Sequence, residues 1–111
     1  MFTASFDYAA NQEGEYTVLS EGAASCGRYI EAVEKAGRGG SKTTMGYYHA
    51  YLDSYFTGVN RYLSDTKNIK GNTDSAGVRA YVQKYCRENP LKDYMDAIIA
   101  VVNELYPNRT K

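Results

Sequence analysis

The chain has no tryptophan, one histidine, two cysteines and two prolines among its 111 residues. Each scarcity excludes something. A zinc site needs three or four convergent ligands, and His49 with two cysteines sixty positions apart offers no familiar spacing. A cysteine nucleophile needs a base, usually histidine, and only one is available. Charge of one sign is missing too, since thirteen Lys and Arg offset thirteen Asp and Glu. A neutral chain lacks the basic surplus that marks binding to nucleic acid or to an anionic membrane. No apolar run approaches the roughly 20 residues that span a bilayer, so membrane insertion is not expected. The opening MFTASFDYAANQEGEY has neither a basic stretch nor an apolar one and does not read as a signal peptide. It fits either a mature domain carrying a starting methionine or a cytosolic protein.

What is present is a chain that is 43% hydrophobic and holds twelve tyrosines. The length suits one domain with a modest core. Tyrosine at this density places amphipathic rings in much of the buried surface, and each buried hydroxyl must find a partner. The alternative use of such rings is a contact surface, where tyrosine is enriched.

Residues 1–25 carry no sustained helical period and read as an irregular arm. A short extended piece is expected at Glu15–Leu19, with packing through Phe2, Phe6 and Val18. The helical domain then runs over residues 26–111. Cys26 to Ala36 predicts a first helix, because Cys26, Tyr29, Ile30 and Val33 recur at helical spacing. Ser25 caps its start and Gly37 ends it in a left-handed conformation. Met45 to Ser64 predicts the longest helix, striped by Met45, Tyr48, Leu52, Tyr55, Phe56, Val59, Tyr62 and Leu63. Gly58 interrupts it at a cost of about 1 kcal/mol against alanine, which suggests that another helix approaches closely. Asn60 sits beside the stripe, either buried and bonded or solvated.

DTKNIKGNTD, residues 65–74, is a loop by its Gly, Asn and Asp content. Thr73 or Asp74 caps the third helix, Ser75 to Glu88, whose stripe includes Val78, Val82 and Cys86. Asn89 is expected to cap a fourth helix from Pro90 to Tyr106, since proline suits the first helical position. Its stripe is Leu91, Tyr94, Met95, Ile98, Val101, Val102 and Leu105. The predicted architecture is a small all-α bundle of about four helices.

Catalytic constellations are scarce in this pattern. GRGGSK, residues 37–42, lacks the phosphate-loop spacing and follows no strand. His49 and Asp53 read as a surface pair one turn apart. Asp93 and Asp96 favour the dipole of the fourth helix. No enzyme class is indicated, and neither a cofactor nor a metal is expected. The two cysteines lie on apolar helix stripes, one at the start of the first helix and one at the end of the third. Antiparallel packing would bring those ends together. In an oxidising compartment they would pair; in a reducing one they would remain small buried hydrophobes.

Cys26 with Tyr29, then YLDSYFTGVN (51–60), KNIKGNTD (67–74) and YVQKYCRENP (81–90), followed by an amphipathic helix to Leu105, form an ordered series. That series resembles the small helical periplasmic proteins grouped around the HdeA-like acid chaperones and the Tai-type immunity proteins. The latter neutralise peptidoglycan amidases delivered by type VI secretion. The resemblance covers about residues 26 to 105. It implies an all-α fold, a disulfide between Cys26 and Cys86, and structural roles for Gly58, Asn60, Asn89 and Pro90. It also implies a periplasmic or secreted location, with any signal peptide already removed.

Two functions follow as expectations. The first is a binding module of the immunity or inhibitor type that plugs a cell-wall amidase. Its partner would be another protein, such as a secreted peptidoglycan amidase, or a second copy of the chain. The candidate contact residues are Arg38 and Lys42 in the basic loop, Tyr47 and Tyr51 as aromatic anchors, and Lys67, Asn68, Lys70 and Asn72 in the next loop. The second is an acid-activated chaperone. Below about pH 3 the carboxylates protonate, and thirteen Lys and Arg plus His49 leave a charge near +14 that loosens the bundle. An envelope protein with another partner is the remaining alternative.

Overall fold

The computed structural model describes residues 10–111; the expected packing of Phe2 and Phe6 falls outside them. The described residues form an all-α bundle, with no strand beyond two isolated bridges. Its helices are α1 (Cys26–Gly37), α2 (Thr43–Tyr62), α3 (Ser75–Glu88) and α4 (Tyr94–Leu105). Short 3-10 turns precede and follow them at Ser20–Ala23 and Tyr106–Asn108. Helix α1 packs against the other three, and α3 lies along α4.

The cysteines close a disulfide, Cys26–Cys86, with Cα atoms 4.7 Å apart and 60 positions between them. Both are wholly buried. The bond fastens the first residue of α1 to the last turn of α3, as antiparallel packing of those helices requires.

The start of α1 is held twice. The Ser25 hydroxyl accepts from the Arg28 N–H, 3.1 Å away. The Cys26 and Gly27 N–H groups, which no residue inside the helix can satisfy, donate to the Lys92 and Pro90 carbonyls at 2.7 and 3.1 Å. Tyr94 N–H donates back to the Ala24 carbonyl at 2.8 Å. These bonds correct the expected start of the fourth helix. Residues 90–93 form a turn whose carbonyls serve α1, so α4 begins only at Tyr94. The Asp93 N–H donates to the Asp96 carboxylate, the returning half of a capping box. Asn89 instead closes α3, its side-chain amide donating to the Tyr85 carbonyl at 2.9 Å. Leu91, expected on the apolar stripe, is 96% exposed.

Three smaller expectations also shift. The left-handed residue after α1 is Gly39, not Gly37, with φ +82°. Helix α2 starts at Thr43 and ends at Tyr62, and Tyr62 points out, 78% exposed. Among the described residues nothing lies within 4 Å of where a Cβ on Gly58 would stand, so none of the four helices approaches it. The Glu15–Leu19 piece joins no ladder, and a 3-10 turn that the sequence did not signal follows it.

The core gathers residues of all four helices with Leu63 and Ile69. At its centre Tyr29, Tyr48 and Tyr94 form a three-ring cluster with centroids 4.7 to 5.0 Å apart. The pairs meet edge-on or tilted, as ring quadrupoles favour.

Candidate functional site

The segment between α1 and α2 stands between two surface clefts. The first, of about 470 Å³, is walled by α1 (Val33, Ala36, Gly37), α2 (Met45, Gly46, His49) and α3 (Arg79, Gln83), with Lys42 at the junction. Its wall is mostly apolar, and among the described residues no Asp or Glu lines it. The second, of about 590 Å³, is lined by Arg28, Glu31, Ala32, Lys35, Arg38, Gly40, Ser41, Thr44 and Tyr48. Three of those nine side chains are cationic and one is anionic. The chain as a whole is neutral, so this end of the bundle gathers positive charge that its other surfaces balance.

Local chemistry shapes the segment. Gly40 N–H donates to the Lys35 carbonyl at 2.9 Å and folds the chain back on the end of α1. The Ser41 hydroxyl accepts from Thr43 N–H and starts α2. Arg38 and Lys42 are both exposed. His49 is half-buried. Burial holds its imidazole below the usual value, the nearby Arg79 adds to that, and Asp53 opposes it. His49 thus lines the first cleft while the Asp53 carboxylate expected beside it acts on it electrostatically.

The other sequence candidates fall elsewhere. Tyr47 is 60% exposed. Tyr51, one turn on, is half-buried, and its ring with Val18 occupies the space a Cβ on Gly22 would need. Lys67 and Asn72 are exposed, while Asn68 and Lys70 are partly buried and engaged within the fold. The Asn68 backbone pairs with Thr110 in an isolated bridge. Its side chain accepts from Lys70 N–H, and Lys70 Nζ donates to Ser75. Arg109 ties the same region down by donating to the Asp65 carbonyl and the Thr66 hydroxyl while its guanidinium lies 4.0 Å from the Tyr106 ring. Asn60 is the bonded alternative: its Oδ1 accepts from Ile69 N–H at 2.7 Å and anchors the loop on α2.

The structure brings Lys42 together with residues the sequence reading did not select. Arg79 and Gln83 lie on the flank of α3, and nothing in their local pattern marks them as cleft residues. Met45 and Val33 do lie on the apolar stripes, but a stripe does not reveal that one edge stays open.

Buried tyrosine hydroxyls supply the other unusual chemistry. Burial pushes Tyr29 up to about 12, partly offset by a hydrogen bond with Gln83 and by Arg79 and Arg87. Tyr94 is raised further, by burial first and then by its tyrosine neighbours. Such phenols stay neutral at physiological pH. Among the described residues, no three His, Cys, Asp or Glu side chains converge on a metal position, and no helix is long and apolar enough to cross a membrane.

In comparisons with known proteins, no family model, no curated protein and no solved structure matches this chain.

Proposed function

We propose that this chain is a protein-binding module of the immunity or inhibitor type, acting in the periplasm on a secreted cell-wall amidase. The observation that carries the reading is the Cys26–Cys86 bond inside a small helical bundle. Disulfides persist in oxidising compartments and give small domains rigidity that their cores cannot. An inhibitor needs such rigidity, because a surface held in its bound shape loses less entropy on association. The exposed Arg38 and Lys42 beside the clefts supply contact chemistry, and the ring of Tyr47 is exposed on α2.

The test is an inhibition titration. The oxidised protein is added to a panel of secreted peptidoglycan amidases, and hydrolysis of purified cell wall is followed. An inhibitor gives a stoichiometric end point against one of them and a stable complex on size exclusion. Full amidase activity at excess protein, with no complex formed by any member, rejects the reading.

A further inference from the structure

The first cleft has a composition that plain helix packing does not account for. Its floor is Met45, buried, with Val33 and Ala36 half-buried beside it. Its charged lining residues, Lys42 and Arg79, are both cations, joined by the half-buried imidazole of His49. In a chain with equal numbers of acids and bases, a lining that holds no carboxylate among the described residues is a local property. The acid that acts on His49 is Asp53, one turn further along α2.

Gly46 is the second observation. It lies in the first turn of α2, where glycine costs up to about 1 kcal/mol against alanine. Among the described residues nothing stands within 4 Å of a Cβ built on it, and its φ is not in the left-handed region. Neither packing nor backbone conformation asks for glycine there. What glycine does leave is bare backbone along the cleft wall, and Gly37 opposite is equally open. A cleft of about 470 Å³ is within the usual size of a ligand site, and an apolar floor with a few placed polar groups is the usual lining.

Resting on the binding-module reading, we infer that this cleft between α1, α2 and α3 docks an acidic segment of the partner protein. An apolar side chain of that segment enters over Gly46 and packs on Met45 and Val33. Carboxylates on either side of it face Lys42 and Arg79. Charge complementarity selects the partner's sign and speeds its approach, and the apolar floor supplies the anchor.

The experiment uses a short synthetic peptide with one phenylalanine flanked on both sides by glutamates. Two controls replace the phenylalanine with alanine or the glutamates with lysines. Binding is followed by amide chemical shifts of the full oxidised chain. The expected result is a saturable shift of the Met45, Gly46, His49 and Arg79 amides, with both controls weaker by about tenfold or more. Gly46→Phe, which fills the cleft from an open position, and Arg79→Glu should each weaken binding similarly while circular dichroism is unchanged. Equal binding of all three peptides, shifts confined to another surface, or unaltered affinity of Gly46→Phe overturns the inference. The same amides shifting on dilution of the free protein would make the occupant a second copy, and would also overturn it. An amidase inhibited equally by wild type and by both variants would reject the cleft and leave the inhibitor reading standing. Peptide binding in the cleft without any amidase complex would do the reverse.

Discussion

The hydroxyl of Tyr94 donates to the main-chain carbonyl of Tyr48, 3.0 Å away, in a fully enclosed part of the core. This one bond joins α4 to α2, and it satisfies the only polar atom of a ring with no exposed surface. Tyr94→Phe keeps the ring and removes the bond. It should destabilise the fold by about 1 kcal/mol, because the Tyr48 carbonyl keeps its partner within the helix. Urea denaturation measures this. A loss several times larger would mean that the hydroxyl also orients the ring cluster.

Alkali should expose the same cluster. Tyr29 loses its proton near 10 when unfolded but at about 12 in the fold. The folded state therefore holds the proton longer, and its contribution is complete below pH 10 and lost as pH rises towards 12. The loss from Tyr29 is on the order of 2–3 kcal/mol. Denaturation midpoints taken across that window should fall steeply for the wild type and less steeply for Tyr29→Phe. Parallel curves would remove Tyr29 as the cause.

The disulfide should account for much of the stability. Restricting an unfolded chain across 60 positions is worth about 4 kcal/mol in the chain-entropy model, a large share of what a domain of this size retains. Reduction, or the Cys26→Ala, Cys86→Ala double variant, should lower the melting temperature by more than about 15 °C. A thiol titration of the unreduced protein should find no free sulfhydryl. An unchanged melting temperature after complete reduction would show that the core holds without the bond.

Gly58→Ala should stabilise the protein by up to about 1 kcal/mol, since the added methyl meets nothing and α2 gains a better helix former. Thermal melts of the two proteins decide it. Destabilisation would show that the added methyl is not accommodated.

The bundle was legible where local chemistry decides local structure. Ser25 and Asp74 cap α1 and α3 as their side chains suggest, and the apolar stripes give the buried faces. The start of α4 was not legible. Its cause is a set of bonds from residues 90–92 to the N–H groups of α1, and no pattern near Pro90 announces a partner more than sixty positions away. The pairing of Asn68 with Thr110 is hidden for the same reason. Arg38 and Lys42 drew notice as cations in a glycine-rich loop. Arg79 and Gln83 did not, because a cleft built by three helices has no sequence period of its own.

The Cys26–Cys86 bond also divides the molecule by connectivity. Helices α1, α2 and α3 lie inside a closed covalent ring, while α4 hangs from it as a free tail. A single proteolytic cut in the exposed segment at residues 38–42 opens the ring but leaves every piece joined. A cut between Cys86 and Tyr94 severs the tail, and only its packing then keeps α4 in place. Limited digestion of the unreduced protein therefore reads differently on either side of Cys86. Between Cys26 and Cys86 a nick leaves one disulfide-joined molecule, heavier only by the water of hydrolysis, and beyond Cys86 it gives two.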